Sequence, residues 1–388
     1  MPPPKTLTDM KTYTVGILGF GFIGKVHAYA HQVIPYYYPQ SSFRTRITHI
    51  GTSSMETARK GCEQIRADVA VTDYREITEN PDIDIVHICT PNHRHRDMLL
   101  SAIKNNKHIY CDKPLTATAA ETTQIKEALT GYTATAQMTF QCRFFPATLR
   151  AMQLVQGGFL GDVHEFRAAY LHSGSATPET PLKWKLSAKY GGGVIADLGA
   201  HVFDLIQALL GDYDRLIAAS RIAYPERPAA DDPDRMEKVD AEDSVSIIAQ
   251  MKSGASGVME ASKTAAGTED ELRFELHGSS GAIRFNSMQP HHLQVYDAGI
   301  SDKPLGGMKG WTVVDCGQRY LESNFPGPKF SLGWIRAHVA SLFNFLDNVF
   351  KGAAGEPGFD QGIYIQHVIE RVRESARLSE WVHIKVEP

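Results

Sequence analysis

The sequence contains no C-x-x-C pair, and its five cysteines, Cys62, Cys89, Cys111, Cys142 and Cys316, are scattered and odd in number. Neither a disulfide framework nor a thiolate zinc site follows from that spacing. Cys89 and Cys111 each close an apolar run and read as thiols packed near strand ends. A basic excess is missing too: the formal net charge is −4, which argues against the cationic footprint of a nucleic-acid binder. No stretch approaches the roughly 20 consecutive apolar residues of a membrane span, and Met1-Pro-Pro-Pro-Lys-Thr6 lacks the apolar segment of a signal peptide. The expectation is a cytoplasmic protein that handles a small metabolite, with no nucleic-acid or membrane partner. At 388 residues the chain exceeds the roughly 250–300 residues at which a single core stops growing, so two domains are expected.

Against these absences, one local pattern is rich in information. Tyr13-Thr-Val-Gly-Ile-Leu18 runs directly into Gly19-Phe-Gly-Phe-Ile-Gly24, a strand turning through glycines into a helix. Gly19 allows the tight turn, Gly21 lets backbone approach a pyrophosphate, and Gly24 lets helix and strand pack closely. The helix start then offers N–H groups and a partial positive charge to phosphates.

Strand and helix patterns alternate from there: a helix over Ile23–Val33 stopping at Pro35, a strand at Arg46–Ile50, a helix over Met55–Glu63, and a buried strand at Ile83–Ile88. A helix through Leu99–Ile103, a strand at Lys107–Tyr110 and a helix over Ala119–Leu129 follow. That alternation predicts βαβ units and a parallel, doubly wound sheet. Beyond about residue 140 the texture changes. Val163–Leu171, Ser244–Met251, Gly257–Thr264, Glu271–His277 and Ala282–Phe285 are strand-like, and Gly278-Ser-Ser-Gly281 is a hairpin connection. Short links between consecutive strands predict a mostly antiparallel sheet. Asp197–Leu210 reads as one helix closed by Gly211, Trp334–Phe350 and Gln361–Arg377 as two late helices, and Pro225–Asp234 as an exposed loop.

In a doubly wound sheet ligands sit beyond the carboxyl ends of the strands. Two segments lie there, Thr90-Pro-Asn-His-Arg-His95 and Cys111-Asp-Lys-Pro-Leu115, with Pro91 and Pro114 keeping Thr90 and Lys113 out of helix. Lys113 is either a substrate-facing cation or a solvated surface lysine. In Gly191-Gly-Gly-Val-Ile-Ala-Asp197-Leu-Gly-Ala-His201 the acid and the imidazole are four apart and share a helix face. They are either a general base with its orienting carboxylate or a polar helix start with Asp197 as cap. His93 and His95 form an H-x-H without the further ligands a metal site needs, so no metal is expected.

Taken in order, Gly19–Gly24 with His27, Thr90-Pro-Asn92 with His95, Asp112-Lys-Pro114, Gly193–His201 and the closing Phe359-Asp-Gln-Gly362 to Trp381-Val-His383 resemble the glucose-fructose oxidoreductase/inositol dehydrogenase (Gfo/Idh/MocA) family. The resemblance implies an N-terminal Rossmann domain over 1–140 and a C-terminal α/β domain over 141–388. The open, mostly antiparallel sheet of the second domain would serve substrate binding and homo-oligomer formation, as dimer or tetramer. It implies a nicotinamide cofactor, NAD or NADP, held by Gly19, Gly21, Phe22, Ile23, Gly24, Thr52, Ser53, Thr90, Asn92, His95, Asp112 and Lys113. Lys113, Asp197 and His201 would be catalytic, and Arg143, Trp184 and Lys185 would join Asp197 and His201 around a sugar-like or cyclitol substrate. Two positions depart from the family pattern: Asp112 stands where glutamate is usual, and Thr52 where an acid would bind the ribose 2′-hydroxyl. With Arg59 and Lys60 a turn further on, the 2′ position stays open to either cofactor. The expected reaction passes a hydride between the nicotinamide and a secondary hydroxyl or ketone of a sugar, anhydrosugar or cyclitol. The same fold also serves NAD-dependent redox glycosidases and non-enzymatic dinucleotide-binding regulators, and an acid–base set argues against the latter.

Overall fold

A computed structural model describes residues 10–385, so the reading of Met1–Thr6 lies outside the described residues. The chain forms two units. One holds the chain through Gln141 with Tyr320–Pro328 and Ile335–Ile363; the other holds Cys142–Arg319, Lys329–Trp334 and the residues from Tyr364 onward. The expected division at 140/141 lies one residue from the observed one, but the later segments are shared between the units instead of staying in the second.

In the first unit β1 (Lys11–Leu18), β2 (Phe43–Gly51), β3 (Val69–Val71), β4 (Ile85–Ile88), β5 (His108–Asp112) and β6 (Ala136–Thr139) form a parallel sheet in the order β3-β2-β1-β4-β5-β6. The order reverses between β1 and β4, which is where a doubly wound sheet takes its ligand. All of β4 is buried, the signature of a strand covered on both faces. The helices are α1 (Phe22–Tyr37), α2 (Met55–Ile65), α3 (Arg75–Thr78), α4 (His95–Lys104) and α5 (Ala119–Ala128). α5 starts at a capping box between Thr118 and Glu121. α1 continues through Pro35, the expected stop, because the proline stands in the last turn and the Tyr38 N–H still donates to Ile34 O at 2.8 Å. Two short strands, β3 and β6, carry too few residues to show a period.

The second unit opens with α6 (Pro146–Gln156) and builds a sheet from β7 (Val163–Leu171), β8 (Tyr213–Arg221), β11 (Ser244–Met251), β12 (Ser256–Ser262), β13 (Glu271–Gly278), β14 (Gly281–Asn286), β15 (His292–Asp297), β16 (Trp311–Asp315) and β17 (Val382–His383); β9 (Glu226–Pro228) and β10 (Met236–Lys238) form a separate ribbon. Its order is β16-β15-β14-β13-β7-β12-β11-β8-β17, antiparallel throughout except for β7 with β12. Alternation along β11 buries Val245, Ile247, Ala249 and Met251 and leaves Ile248 on the opposite, open face. α7 (Ala200–Leu210) continues from a π-helical turn, Ile195–Gly199, and ends at Gly211 with φ +84°. Residues 188–210 are long and apolar enough to cross a membrane, yet they are mostly buried inside this unit, as a core helix is. The expected loop at Pro225–Asp234 is in part the β9–β10 ribbon. Arg227 is fully buried there, donating to the carbonyls of Ser175 and Thr177, so a segment of polar composition is pinned inward.

α8 (Trp334–Lys351) and α9 (Phe359–Leu378) close the chain. Val339, Leu342, Phe345, Leu346 and Val349 of α8 pack in one core with Val15, Ile17, Ala28 and Ile34. Tyr38 stacks on Phe343 with ring centroids 3.6 Å apart, and Ser341 meets the Tyr110 hydroxyl at 2.7 Å.

Candidate active site

The turn after β1 is held by contact. A Cβ on Gly19, whose φ is +90°, would meet Cys89 O at 2.6 Å, and one on Gly24 would meet Gly19 O at 2.1 Å. A Cβ on Gly21 would have no atom within 4 Å, so this residue faces open space. No side chain caps α1, and no acid stands in its first turn. An uncapped, acid-free start on a long helix suits a pyrophosphate. Phe22 is largely exposed and Ile23 half-buried beside it. The residues present therefore fit a dinucleotide.

Past β2, the Thr52 hydroxyl donates to Ser54 O at 2.9 Å and lies 2.5 Å from the Thr57 hydroxyl, while Ser54 caps α2 and Ser53 is exposed. Lys60 is paired with Glu56 at 2.6 Å on the exposed side of α2. Past β4, Thr90 is half-buried and Asn92 buried on a single tight turn. His95, expected against the cofactor, is instead wholly buried. Its Nε2 lies 2.8 Å from Thr90 O and its Nδ1 3.0 Å from Pro114 O. The imidazole ties the loop after β4 to the loop after β5, so both ring nitrogens are committed to backbone. Asp112 ends β5 and Lys113 follows it, both half-buried, with a cis peptide at Lys113–Pro114.

In the second unit, a Cβ on Gly192 would meet Trp184 O at 2.6 Å, and one on Gly193 would meet the Glu242 carboxylate at 2.2 Å. These glycines let the turn Trp184–Leu186 and Glu242 close on the start of the helix. Glu242 Oε1 accepts the Ile195 N–H at 3.1 Å; burial raises the pKa of this carboxyl, with Arg373 acting against the rise. Asp197 is mostly buried and paired twice, with Lys185 Nζ at 3.1 Å and with Lys263 Nζ at 2.8 Å. Lys185 also lies over the half-buried Trp184 ring at 5.8 Å. His201 is buried one turn further on, edge-to-face with Tyr170 at 5.7 Å. The structure thus gathers Trp184, Lys185, Asp197 and His201 in one neighbourhood. Asp197 is not the helix cap; Gly199 precedes α7.

Arg143, expected to touch substrate, is buried in a bidentate pair with Asp204 of α7, at 2.7 and 2.6 Å. Its fork is spent on a carboxylate that is only 1% exposed, which makes the pair part of the packing between the segment at 141–144 and α7. Lys263, Glu242 and Tyr170 were not singled out by sequence; Lys263 follows a strand end, a signal too common to select it.

A separate polar cluster is buried in the first unit. Thr45 Oγ1, His31 Nδ1 and Nε2, His87 Nε2 and Nδ1, and His27 Nδ1 form a chain with contacts of 2.9, 3.0 and 3.0 Å, and Cys89 Sγ lies 3.1 Å from His27 Nδ1. His27, His87 and Cys89 are close enough together to ligate a metal, but their ligand atoms engage each other. Burial pushes His27 and His87 well below the usual histidine value and His31 down to about 3, and it pushes the Cys89 thiol up. The imidazoles are therefore held neutral.

The chain also resembles known proteins in sequence and in fold. Residues 13–140 match a family described as "Oxidoreductase family, NAD-binding Rossmann fold", and residues 148–284 match the "GFO/IDH/MocA C-terminal domain". The chain is 30% identical to levoglucosan dehydrogenase of Pseudarthrobacter phenanthrenivorans over 97% of its own length and 99% of that protein's. It is 27% identical to inositol 2-dehydrogenase of Rhizobium meliloti, covering 91% of this chain and 93% of that one. A solved levoglucosan dehydrogenase in complex with NADH and levoglucosan superposes with a TM-score of 0.92 at 28% identity, over 97% of this chain and 100% of the other.

Proposed function

The chain belongs to the Gfo/Idh/MocA family of NAD-binding oxidoreductases, and from that membership we propose that it oxidises a secondary hydroxyl, or reduces the matching ketone, of a sugar, anhydrosugar or cyclitol. The observation that carries this reading is His201, buried one turn beyond an Asp197 that two lysines hold. An imidazole, with a reference pKa of about 6.5, is suited to exchange the hydroxyl proton near neutral pH. His201 takes that proton as the carbon is oxidised and returns it in reduction. The Lys113 ammonium stabilises the charge that develops on the alkoxide oxygen. Asp197 and Lys185 receive neighbouring hydroxyls, and Trp184 offers an aromatic face to the ring. The bound nicotinamide supplies the hydride acceptor or donor, held through Gly19–Gly24, Thr52, Ser53, Thr90, Asn92 and Asp112.

The named substrates of similar proteins, levoglucosan and inositol, support the polyol class. A panel of sugars, inositols and anhydrosugars, assayed with NAD and with NADP, tests it: the expected result is stoichiometric reduced cofactor from at least one polyol. Aglycone release from glycosides without net reduced cofactor would favour the redox glycosidase. Binding of dinucleotide without any turnover would favour the regulator.

A homo-oligomer, dimer or tetramer, is part of the same proposal. The open face of the second unit's sheet exposes Ile248 and Val258 among Arg167, Glu260, Arg273 and Glu275. A face with an apolar centre and charges of both signs around it is suited to meet a copy of itself, as in a two-fold interface. A cytoplasmic location is supported by five cysteines of which none is in a disulfide; cell fractionation tests it.

A further inference from the structure

Two ammonium groups converge on Asp197, and they are not equivalent. Lys185 stands on a short turn with half its side chain in solvent, and its Nζ is 3.1 and 3.2 Å from the two carboxylate oxygens. Lys263 is only 9% exposed, its Nζ 2.8 Å from Oδ2. Its backbone is fixed on both sides, the N–H donating to Asp243 O at 2.9 Å and the carbonyl accepting the Ser175 N–H at 2.8 Å. Water screens an exposed ion pair and the long side chain loses entropy in making it, whereas a buried, pre-fixed cation keeps most of its interaction. Lys263 also acts electrostatically on Glu242, the carboxylate that receives the Ile195 N–H where the missing Gly193 Cβ would lie. One buried cation therefore pairs directly with Asp197, and adds a weaker pull on Glu242, at the start of the helix that carries His201.

We infer that Lys263 is a positioning residue for the dehydrogenase reaction: it fixes Asp197 at the head of the catalytic helix, so that the exposed Lys185 can exchange Asp197 for a substrate hydroxyl. The inference rests on the dehydrogenase reading above. Asp197 keeps a fixed partner when substrate arrives, and the carboxylate does not have to be re-ordered in each turnover. Lys185 and Lys263 then differ in kind: the first belongs to substrate binding, the second to the geometry of the reacting groups.

The test uses the full chain with its cofactor and the best polyol of the panel. K263M is expected to lower kcat/KM by about 10- to 100-fold, mainly through kcat, as the loss of a buried charge-assisted bond implies. K185M should act mainly on KM. K263R, which restores a cation beside Asp197, should recover a large part of the lost kcat. In a D197N background the further cost of K263M should shrink below about 3-fold, because coupled residues are non-additive. K263Q takes the place of K263M if the latter does not yield folded protein. A K263M or K263Q enzyme with wild-type kcat/KM, or one whose loss is undiminished in D197N, overturns the role of Lys263 while leaving the dehydrogenase reading intact. A wild-type chain that turns over no polyol overturns both.

Discussion

Lys113 and Arg143 show how far a single cation's role depends on what its charge already meets. Lys113 is half-buried at the end of β5, where an ammonium can answer a developing alkoxide. Lys113→Met should lower kcat by at least about 100-fold, in line with the loss of one preorganised electrostatic donor, with cofactor Kd by fluorescence titration unchanged. Near-normal turnover would remove the assignment. Arg143→Met should instead act on stability. It leaves the Asp204 carboxylate buried without its bidentate partner, a change that costs about 3–5 kcal/mol, read as a lower unfolding free energy in urea. A variant of full stability but raised KM would return Arg143 to the substrate. Sequence made the glycines of the β1–α1 turn legible because each answers a local need, a positive φ or a close backbone approach. Nothing local distinguishes an arginine facing substrate from one facing a carboxylate 61 residues away. Lys263 was hidden for the same reason: its partner, Asp197, comes from another segment.

At the scale of elements, the histidines of α1 and β4 make the first unit sensitive to acid. One proton arrangement satisfies the three contacts of the histidine chain: His27 Nδ1–H donates to His87 Nδ1, His87 Nε2–H to His31 Nε2, and His31 Nδ1–H to Thr45 Oγ1. The reverse arrangement would leave the buried His27 Nε2, which has no partner, carrying an N–H. Adding a proton to His87 or His31 puts two hydrogens into one gap, and adding one to His27 leaves a buried N–H at Nε2 without a partner. The folded-state values lie below the unfolded value of about 6.5, so the unfolded chain binds more protons below that pH. Stability from these groups is complete above pH 6.5 and falls as the pH drops towards 3, where His31 itself titrates. The slope is about 1.4 kcal/mol per pH unit for each histidine that stays neutral only when folded. Urea unfolding at stepped pH should show this fall, and His31→Phe should flatten it by one proton's share; stability independent of pH between 6.5 and 4.5 would contradict it. Of the elements themselves, long periodic ones such as β7, β11 and α7 were readable. β3, β6 and the ribbon β9–β10 were not, since their pairing comes from neighbours and, at Arg227, from a buried charge that composition alone assigns to the surface.

For the whole molecule, the open sheet face sets the expected assembly. Ile248→Asp or Val258→Asp places a charge in the apolar centre of the proposed interface, and light scattering should show a smaller species with cofactor affinity retained; an unchanged mass would place the interface elsewhere. The two-domain plan and the antiparallel second sheet were legible from the change in strand spacing near residue 140. The return of the chain to the first unit was not, because α8 reads as an ordinary amphipathic helix with no mark of which core it serves. That return has a consequence for synthesis. The parallel sheet and α1 emerge early from the ribosome, but the side chains that complete their core, from Val339 to Val349, emerge some two hundred residues later. Until then the surface around Ile34 and Tyr38 lacks the α8 side chains that pack on it, so the nucleotide-binding half is finished only after nearly the whole chain has been made, and a fragment ending at Gln141 should aggregate at concentrations where the full chain stays in solution.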